Sequence, residues 1–181
     1  MERNEALNLV KANVKNKNLV KHMLAAEAIM RHMAEHFGED VDAWGLAGLL
    51  HDVDYDKTKD TPEQHGLLGA EMLREAGLSE EIVQAVLAHC DKAPRKSLMD
   101  QVLYATDPLT GLIVAAALVH PDKKLNSIDP DFVMNRFGER SFARGADRDT
   151  IRTCADFGME VEEFVAHGLK AMQGIHQDLG L

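Results

Sequence analysis

The chain has 181 residues, about one ordinary domain and long enough to bury a sizeable core. Hydrophobic residues make up 45% and charged residues 28%, which excludes disordered and fibrous classes. Twenty Lys and Arg against thirty Asp and Glu give a formal charge of −10, and the aromatics number only six Phe, two Tyr and one Trp. A surface of that sign repels a phosphate backbone and offers few rings for stacking bases, so the composition predicts no nucleic-acid polymer as a partner. Small phosphorylated substrates stay open, because one local cation cluster or metal ion outweighs the global charge.

The charged start Met1-Glu2-Arg3-Asn4-Glu5 leads into no signal-type apolar run. The longest uncharged stretch, Pro108 to Pro121, is shorter than the roughly 20 residues of a membrane helix. Cys90 and Cys154 form neither a CxxC pair nor a disulfide framework. The expectation is a cytoplasmic protein with no membrane partner.

The apolar period is helical almost throughout. An amphipathic segment near Glu5–Val14 precedes a long helix from about Asn18 to His36 that stops at Gly38. Leu19, Met23, Ala26, Met30, Met33 and Phe37 form its inner stripe. A second run, Val41 to Leu50, ends in His51-Asp52. After a polar loop, Thr61-Pro62-Glu63-Gln64 carries the marks of a helix start, with Thr61 as cap and Gln64 completing a capping box, and that helix closes at Gly77. Ser79 caps the next, which reaches about His89. Leu98 to Val119 is a helix or helix pair that Pro108 either kinks or reopens. His120–Asp131 reads as a linker, and two further helices are expected near Asp149–Phe157 and Glu160–Leu179. The architecture predicted is all-α and a single domain over residues 1–181. Its core covers about 19–119 and a helical extension about 130–181 packs on it.

Ligand-type side chains fall on the apolar faces of these helices. His22 lies at helical spacing from Leu19, Ala26 and Ile29. His65 shares a face with Leu68, Gly69, Met72 and Ala76, and His89 with Ile82, Ala85 and Val86. Asp107 stands between Leu103, Tyr104, Thr110 and Gly111. Taken singly, each of these histidines also fits a core residue satisfied by hydrogen bonds. Taken together, several inward titratable groups from different helices would each need a partner, and one or two metal ions would satisfy them all. Mixed imidazole and carboxylate donors suit Fe, Mn, Zn or Ni better than Ca. Arg140, Arg144 and Arg148 recur every four residues, as a phosphate clamp or a solvated face would. His32 and His36, at i and i+4, read as an exposed pair too far along the helix to join His22.

The order His22 … His51-Asp52 … Asp107 resembles the HD-domain superfamily of metal-dependent phosphohydrolases. The phrases Leu49-Leu50-His51-Asp52-Val53, His65-Gly66-Leu67-Leu68-Gly69-Ala70, Ala88-His89 and Tyr104-Ala105-Thr106-Asp107 are similar too. The resemblance covers about Leu19 to Val119. It implies that His22, His51, Asp52 and Asp107 bind one metal, and that His65 and His89 add ligands for a second. It favours two ions of Fe or Mn, with Zn, Ni or Mg as other candidates. Where many two-metal members read His-Asp-Ile-Gly-Lys, this chain reads His51-Asp52-Val53-Asp54-Tyr55-Asp56-Lys57. The implied activity is hydrolysis of a small phosphorylated substrate, a phosphomonoester or phosphodiester and possibly a nucleotide, with Asp52 bridging the ions. Asp54 is the candidate to orient water or protonate the leaving group, and Lys57 and Arg144 to contact substrate phosphate. An HD-fold di-iron oxygenase and a non-enzymatic regulatory module are the alternative readings.

Overall fold

The computed structural model describes residues 1–181, all of them helix or connecting turn. In chain order the helices are α1 (Arg3–Asn13), α2 (Lys17–Phe37), α3 (Val41–Leu50), α4 (Tyr55–Thr58), α5 (Leu67–Glu75), α6 (Glu80–His89), α7 (Leu98–Val119), α8 (Pro130–Phe137), α9 (Arg148–Arg152), α10 (Val161–Gly174) and α11 (His176–Leu179). There is no sheet, and one hydrophobic core runs from Ala6 to Leu179.

Two helices fix the frame. α2 begins where the Asn16 side chain accepts the backbone N–H groups of Asn18 and Leu19, and it ends at Gly38 in the left-handed conformation. α3 is capped by Asp40 and is apolar all round, with every residue from Trp44 to Leu50 buried. The two approach very closely. A Cβ added at Gly48 would lie 2.7 Å from the Ala26 carbonyl oxygen and 2.9 Å from Glu27 Cα, both backbone atoms that cannot rotate away. Beside this seam the buried Glu27 carboxylate accepts Arg3 Nε and Nη2 (2.6 and 2.8 Å) and Arg31 Nε (3.0 Å), which ties α1 to α2.

α7 is the central helix of the bundle, packed against α2, α3, α6, α8, α9 and α10. Its start is a capping box between Ser97 and Asp100, and it continues unbroken through Pro108. By length and composition alone α7 would also pass as a membrane span. Cys154 is buried and Cys90 half-buried, both free thiols. Burial pushes the Cys154 thiol up to about 11.

Three local expectations need correction. Thr61 makes no side-chain cap; Pro62–Gln64 forms a single 3-10 turn, and α5 starts only at Leu67, after Gly66 at φ +77°. The reason is a competing acceptor, because the Asp54 carboxylate takes the Gly66 and Gly69 N–H groups (2.8 Å each) and holds the chain in a turn. His65 therefore sits in that turn and not on a helix face. α8 falls within what reads as linker and tail, although Asp129 caps it through Phe132 N and Pro130 opens it. Residues 138–147 are irregular, so the spacing of the arginines marks no helix face. Arg148 donates there to the carbonyls of Phe142 (2.6 Å), Ala143 (2.7 Å) and Ala146 (2.7 Å) and staples the loop. The extension joins the main core: α10 lies on α2, α7 and α8, and Gln173 Nε2 bonds the Leu125 and Ile128 carbonyls.

The Gly48 seam yields a prediction. Alanine gains about 1 kcal/mol of helix propensity, but overpacking against fixed backbone costs about 1–3 kcal/mol. Gly48→Ala should lower the thermal midpoint and weaken metal binding together, measured by calorimetry and metal titration. A variant at least as stable as the parent would show that the helices can slide apart freely.

Candidate metal centre

Four helices and one turn bring six side chains to one point. His22 comes from the first turns of α2, and His51 and Asp52 from the end of α3, where the helix unwinds and lets neighbouring side chains converge. His65 comes from the turn before α5, His89 from the last residue of α6, and Asp107 from the middle of α7. The Asp52 carboxylate lies between two groups of donors. Its Oδ2 is 3.6 Å from the Nε2 atoms of both His22 and His51. Its Oδ1 is 3.4 Å from His65 Nε2 and 3.6 Å from His89 Nε2. Asp107 Oδ1 joins the first group, 3.2 Å from His22 Nε2 and 3.9 Å from His51 Nε2. The two Nε2 atoms of His22 and His51 are 3.0 Å apart.

Each imidazole has its other nitrogen engaged by an acceptor. His51 Nδ1 bonds the Gly48 carbonyl (2.8 Å) and His89 Nδ1 the Val86 carbonyl (2.5 Å). His65 Nδ1 meets Asp54 Oδ1 at 3.0 Å. His22 Nδ1 meets Thr110 Oγ1 at 2.7 Å, and that hydroxyl donates its own proton to the Asp107 carbonyl, so it accepts from the ring. Carbonyl, carboxylate and engaged hydroxyl all require an N–H, which puts the proton on Nδ1 and turns every Nε2 lone pair inward.

Charge follows this geometry. Burial opposes ionisation of Asp52, but His51, His89 and His22 outweigh it and hold its carboxyl well below the usual carboxylate range. Burial likewise acts against Asp107, and His22 and His51 override it and lower its pKa. Burial drives His51 down to about 4. At His22 burial is overcome by Asp107 and Asp52, and the pKa is raised. At His89 it is overcome by Asp52 and Cys90, and the pKa is raised well above its ordinary value. The carboxylates thus demand positive charge at this point. His89 Nε2 is buried without a hydrogen-bond partner, a costly state for a polar atom unless a cation takes its lone pair. Donor types and this orphaned atom both fit bound metal, and the triads His22–His51–Asp107 and His51–Asp52–His89 each have ligand atoms within 4.8 Å of one another.

The remaining expected residues stand elsewhere. Asp54 is fully buried, with Oδ1 on His65 and Oδ2 on Gly66 N and Gly69 N. Both its oxygens are committed to protein donors, so the role expected of it with water or leaving group gives way to positioning His65. Burial works against its ionisation, but His65 and the two backbone donors lower its pKa. Lys57 is exposed on α4, with no ion pair or hydrogen bond of its side chain. Arg144 lines a separate pocket of about 450 Å³ with Arg140, Arg148 and Arg152, to which none of the six donors contributes. Sequence reasoning missed Thr110, whose role shows only when α2 and α7 are side by side. It also missed a groove of about 410 Å³ lined by Lys11, Lys15, Lys17 and Lys21, although four lysines within eleven residues are plain in the sequence. A second cleft of about 450 Å³ opens at His22 and Thr110, with Val114 and Leu118 as apolar walls.

The family model for the HD domain matches residues 19–118. The chain belongs to the HD-domain family. Its clustered His and Asp residues are those of this family's metal-dependent hydrolases. Among curated proteins, the HD chain is 31% identical to Ribonuclease Y of Desulfotalea psychrophila over 144 residues, 77% of this chain and 27% of that protein. It is 29% identical to Ribonuclease Y of Nitratidesulfovibrio vulgaris and 31% identical to that of Geobacter sulfurreducens, in each case over 96 residues, 53% of this chain and 18% of the relative. The chain thus spans about a quarter or less of the length of these relatives. No solved structure matches it.

These names correct the expectation that no nucleic-acid polymer is a partner, because the relatives are named as ribonucleases. The reasoning from net charge failed because it summed the whole surface, whereas a strand meets a local field. The lysine-lined groove is one local concentration of positive charge on this acidic chain.

The tautomer lock generates a test. Thr110→Val keeps the volume of the side chain but removes the acceptor for His22 Nδ1. Loss of a partner behind a ligand histidine weakens metal binding about 10–100-fold, which titration against a competing chelator measures. Unchanged affinity would mean that the His22 ring is held by packing alone.

Proposed function

We propose that this HD-domain protein is a two-metal phosphodiesterase that hydrolyses RNA. The observation that carries the reading is the division of donors across Asp52: His22, His51 and Asp107 face one oxygen, His65 and His89 the other. Two divalent ions, of Fe or Mn by the resemblance to two-metal HD proteins, would supply Lewis-acid activation of water and neutralise charge on the scissile phosphate. Asp52 holds the two donor groups in register, Asp54 keeps His65 turned inward, and the Gly48 and Val86 carbonyls do the same for His51 and His89.

RNA as substrate is supported by the relatives' names and by what surrounds the centre. On α4, Tyr55 is 44% exposed with its ring 5.5 Å from that of His65, placed to stack on a base. Lys57 on the same helix carries a free ammonium for a phosphate. The lysine groove begins one residue from His22, at Lys21, and Asp56 on α4 accepts the Lys15 N–H at 2.6 Å, which joins the groove to α4. The apolar cleft at His22 and Thr110 fits a nucleoside. The relatives' ribonuclease name favours hydrolysis over oxygen chemistry, and the complete donor set favours an enzyme over a sensing module.

Chelation should abolish cleavage of an RNA oligonucleotide, and Mn or Fe should restore it. Asp52→Ala should lose both ions and activity, while His65→Ala and His89→Ala should each drop the metal content from about two per chain toward one. Turnover that survives exhaustive chelation, or a full metal complement in Asp52→Ala, overturns the mechanism. A fully active metal-loaded protein that leaves RNA of every length intact while cleaving other phosphodiesters overturns the substrate.

The lysine groove makes a separate claim. Lys11→Ala with Lys17→Ala should weaken RNA binding and flatten the dependence of log affinity on log salt by about one unit per lysine or slightly less. An unchanged slope would place the strand elsewhere.

A further inference from the structure

At the far end of α2 from the metal centre, a second set of ligand-type side chains meets across α2 and α10. His32 and His36 are one helical turn apart on α2, and Glu163 and His167 one turn apart on α10. Spacing of i and i+4 puts each pair on one face, and the two faces meet where α10 lies on α2. One ligand atom each from His36, Glu163 and His167 lie within 4.8 Å of one another. The His36 and His167 rings are 4.7 Å apart between centroids, and His167 Nε2 is 4.0 Å from Glu163 Oε1.

His32 completes the arrangement from behind. Its Nε2 is 2.9 Å from His167 Nδ1. With the shared proton on His167 Nδ1, His32 is the acceptor and the His167 Nε2 lone pair is free on the side of Glu163 and His36. A ligand histidine fixed through its other nitrogen is the pattern seen in protein metal sites. Burial lowers the pKa of His32 with the help of Lys170, and burial lowers that of His167 with the help of His32 and His36.

We propose that His36, Glu163 and His167, with His32 behind them, form a further metal site separate from the HD centre, one that takes a single Zn²⁺ or similar divalent ion from solution and clamps α10 onto α2. Two or three imidazoles with one carboxylate suit Zn²⁺, Ni²⁺ or Cu²⁺ better than Mg²⁺ or Ca²⁺. Donors about 2.0–2.1 Å from a tetrahedral ion stand about 3.3 Å apart. The gaps here close by small rotations of His36 and Glu163, which are both exposed. Water fills the remaining position. The ion would join α2 of the HD core to α10 of the extension, which otherwise meet here through packing and the His32–His167 hydrogen bond.

The test uses the full chain, stripped of metal and then saturated with Zn²⁺ alone. Elemental analysis should find one more zinc per chain in the wild type than in the His36→Ala/His167→Ala double variant. This difference holds whether the HD centre takes one ion or two. Zn²⁺ at a hundredfold excess over its dissociation constant should raise the thermal midpoint of the wild type by about 5–10 °C more than that of the double variant. Glu163→Gln, which keeps the shape of the side chain, should weaken this one site about tenfold or more and leave the catalytic rate unchanged. Equal zinc content in wild type and double variant overturns the proposal, as does Glu163→Gln with undiminished affinity at every site.

Discussion

One buried carboxylate organises this molecule. Asp52 cannot be taken from water cheaply, and four imidazoles and a second carboxylate are gathered round it. One of its oxygens meets His22 and His51 and the other His65 and His89, so a single side chain divides the donors into two groups. Every other polar decision nearby serves that arrangement. Thr110, Asp54 and two backbone carbonyls turn the rings, and the rings hold Asp52 ionised.

The bundle is built to deliver those side chains from distant parts of the chain. α2 and α3 touch backbone to backbone at Gly48, one turn before His51, so the glycine that permits close packing also sets the depth of the His-Asp pair. The Gly48 carbonyl then receives the His51 Nδ1–H. Packing and ligand orientation are in this way one event. On the opposite side, His65 is fixed not by a helix but by a turn wrapped around Asp54. In that turn a Cβ on Gly66 would meet Cys90 Sγ at 2.3 Å, and the positive φ excludes most other residues besides.

Much of this was legible in the sequence, and for stated reasons. Helical periodicity gave α2, α3, α6 and α7 close to their observed limits; inward-facing polar residues pointed to His22, His89 and Asp107, and the resemblance of the His51-Asp52 phrase to the HD superfamily implied the rest of the donor set. What escaped was whatever depends on contacts between distant segments. Thr61-Pro62-Glu63-Gln64 has every local mark of a helix start, yet a carboxylate from seven residues earlier captured the next backbone donors and delayed the helix to Leu67. Asp54 reads as a proton carrier until both of its oxygens are seen to be occupied. α8 was signalled by Asp129-Pro130 and overlooked because the segment looked polar. The expectation about partners rests on arithmetic over the whole surface, which hides four lysines that lie together beside α2.

The distribution of donors also has a consequence for biosynthesis. His22, His51, Asp52, His65 and His89 leave the ribosome before Asp107 and Thr110 of α7, and α10, which covers α2 and α7, comes later still. A nascent chain therefore carries five ligand-type side chains before Asp107 and the covering helix are there to close around them. The ion such a centre would take up is thus drawn from the cation pool that the folded domain meets and not from the one surrounding the growing chain.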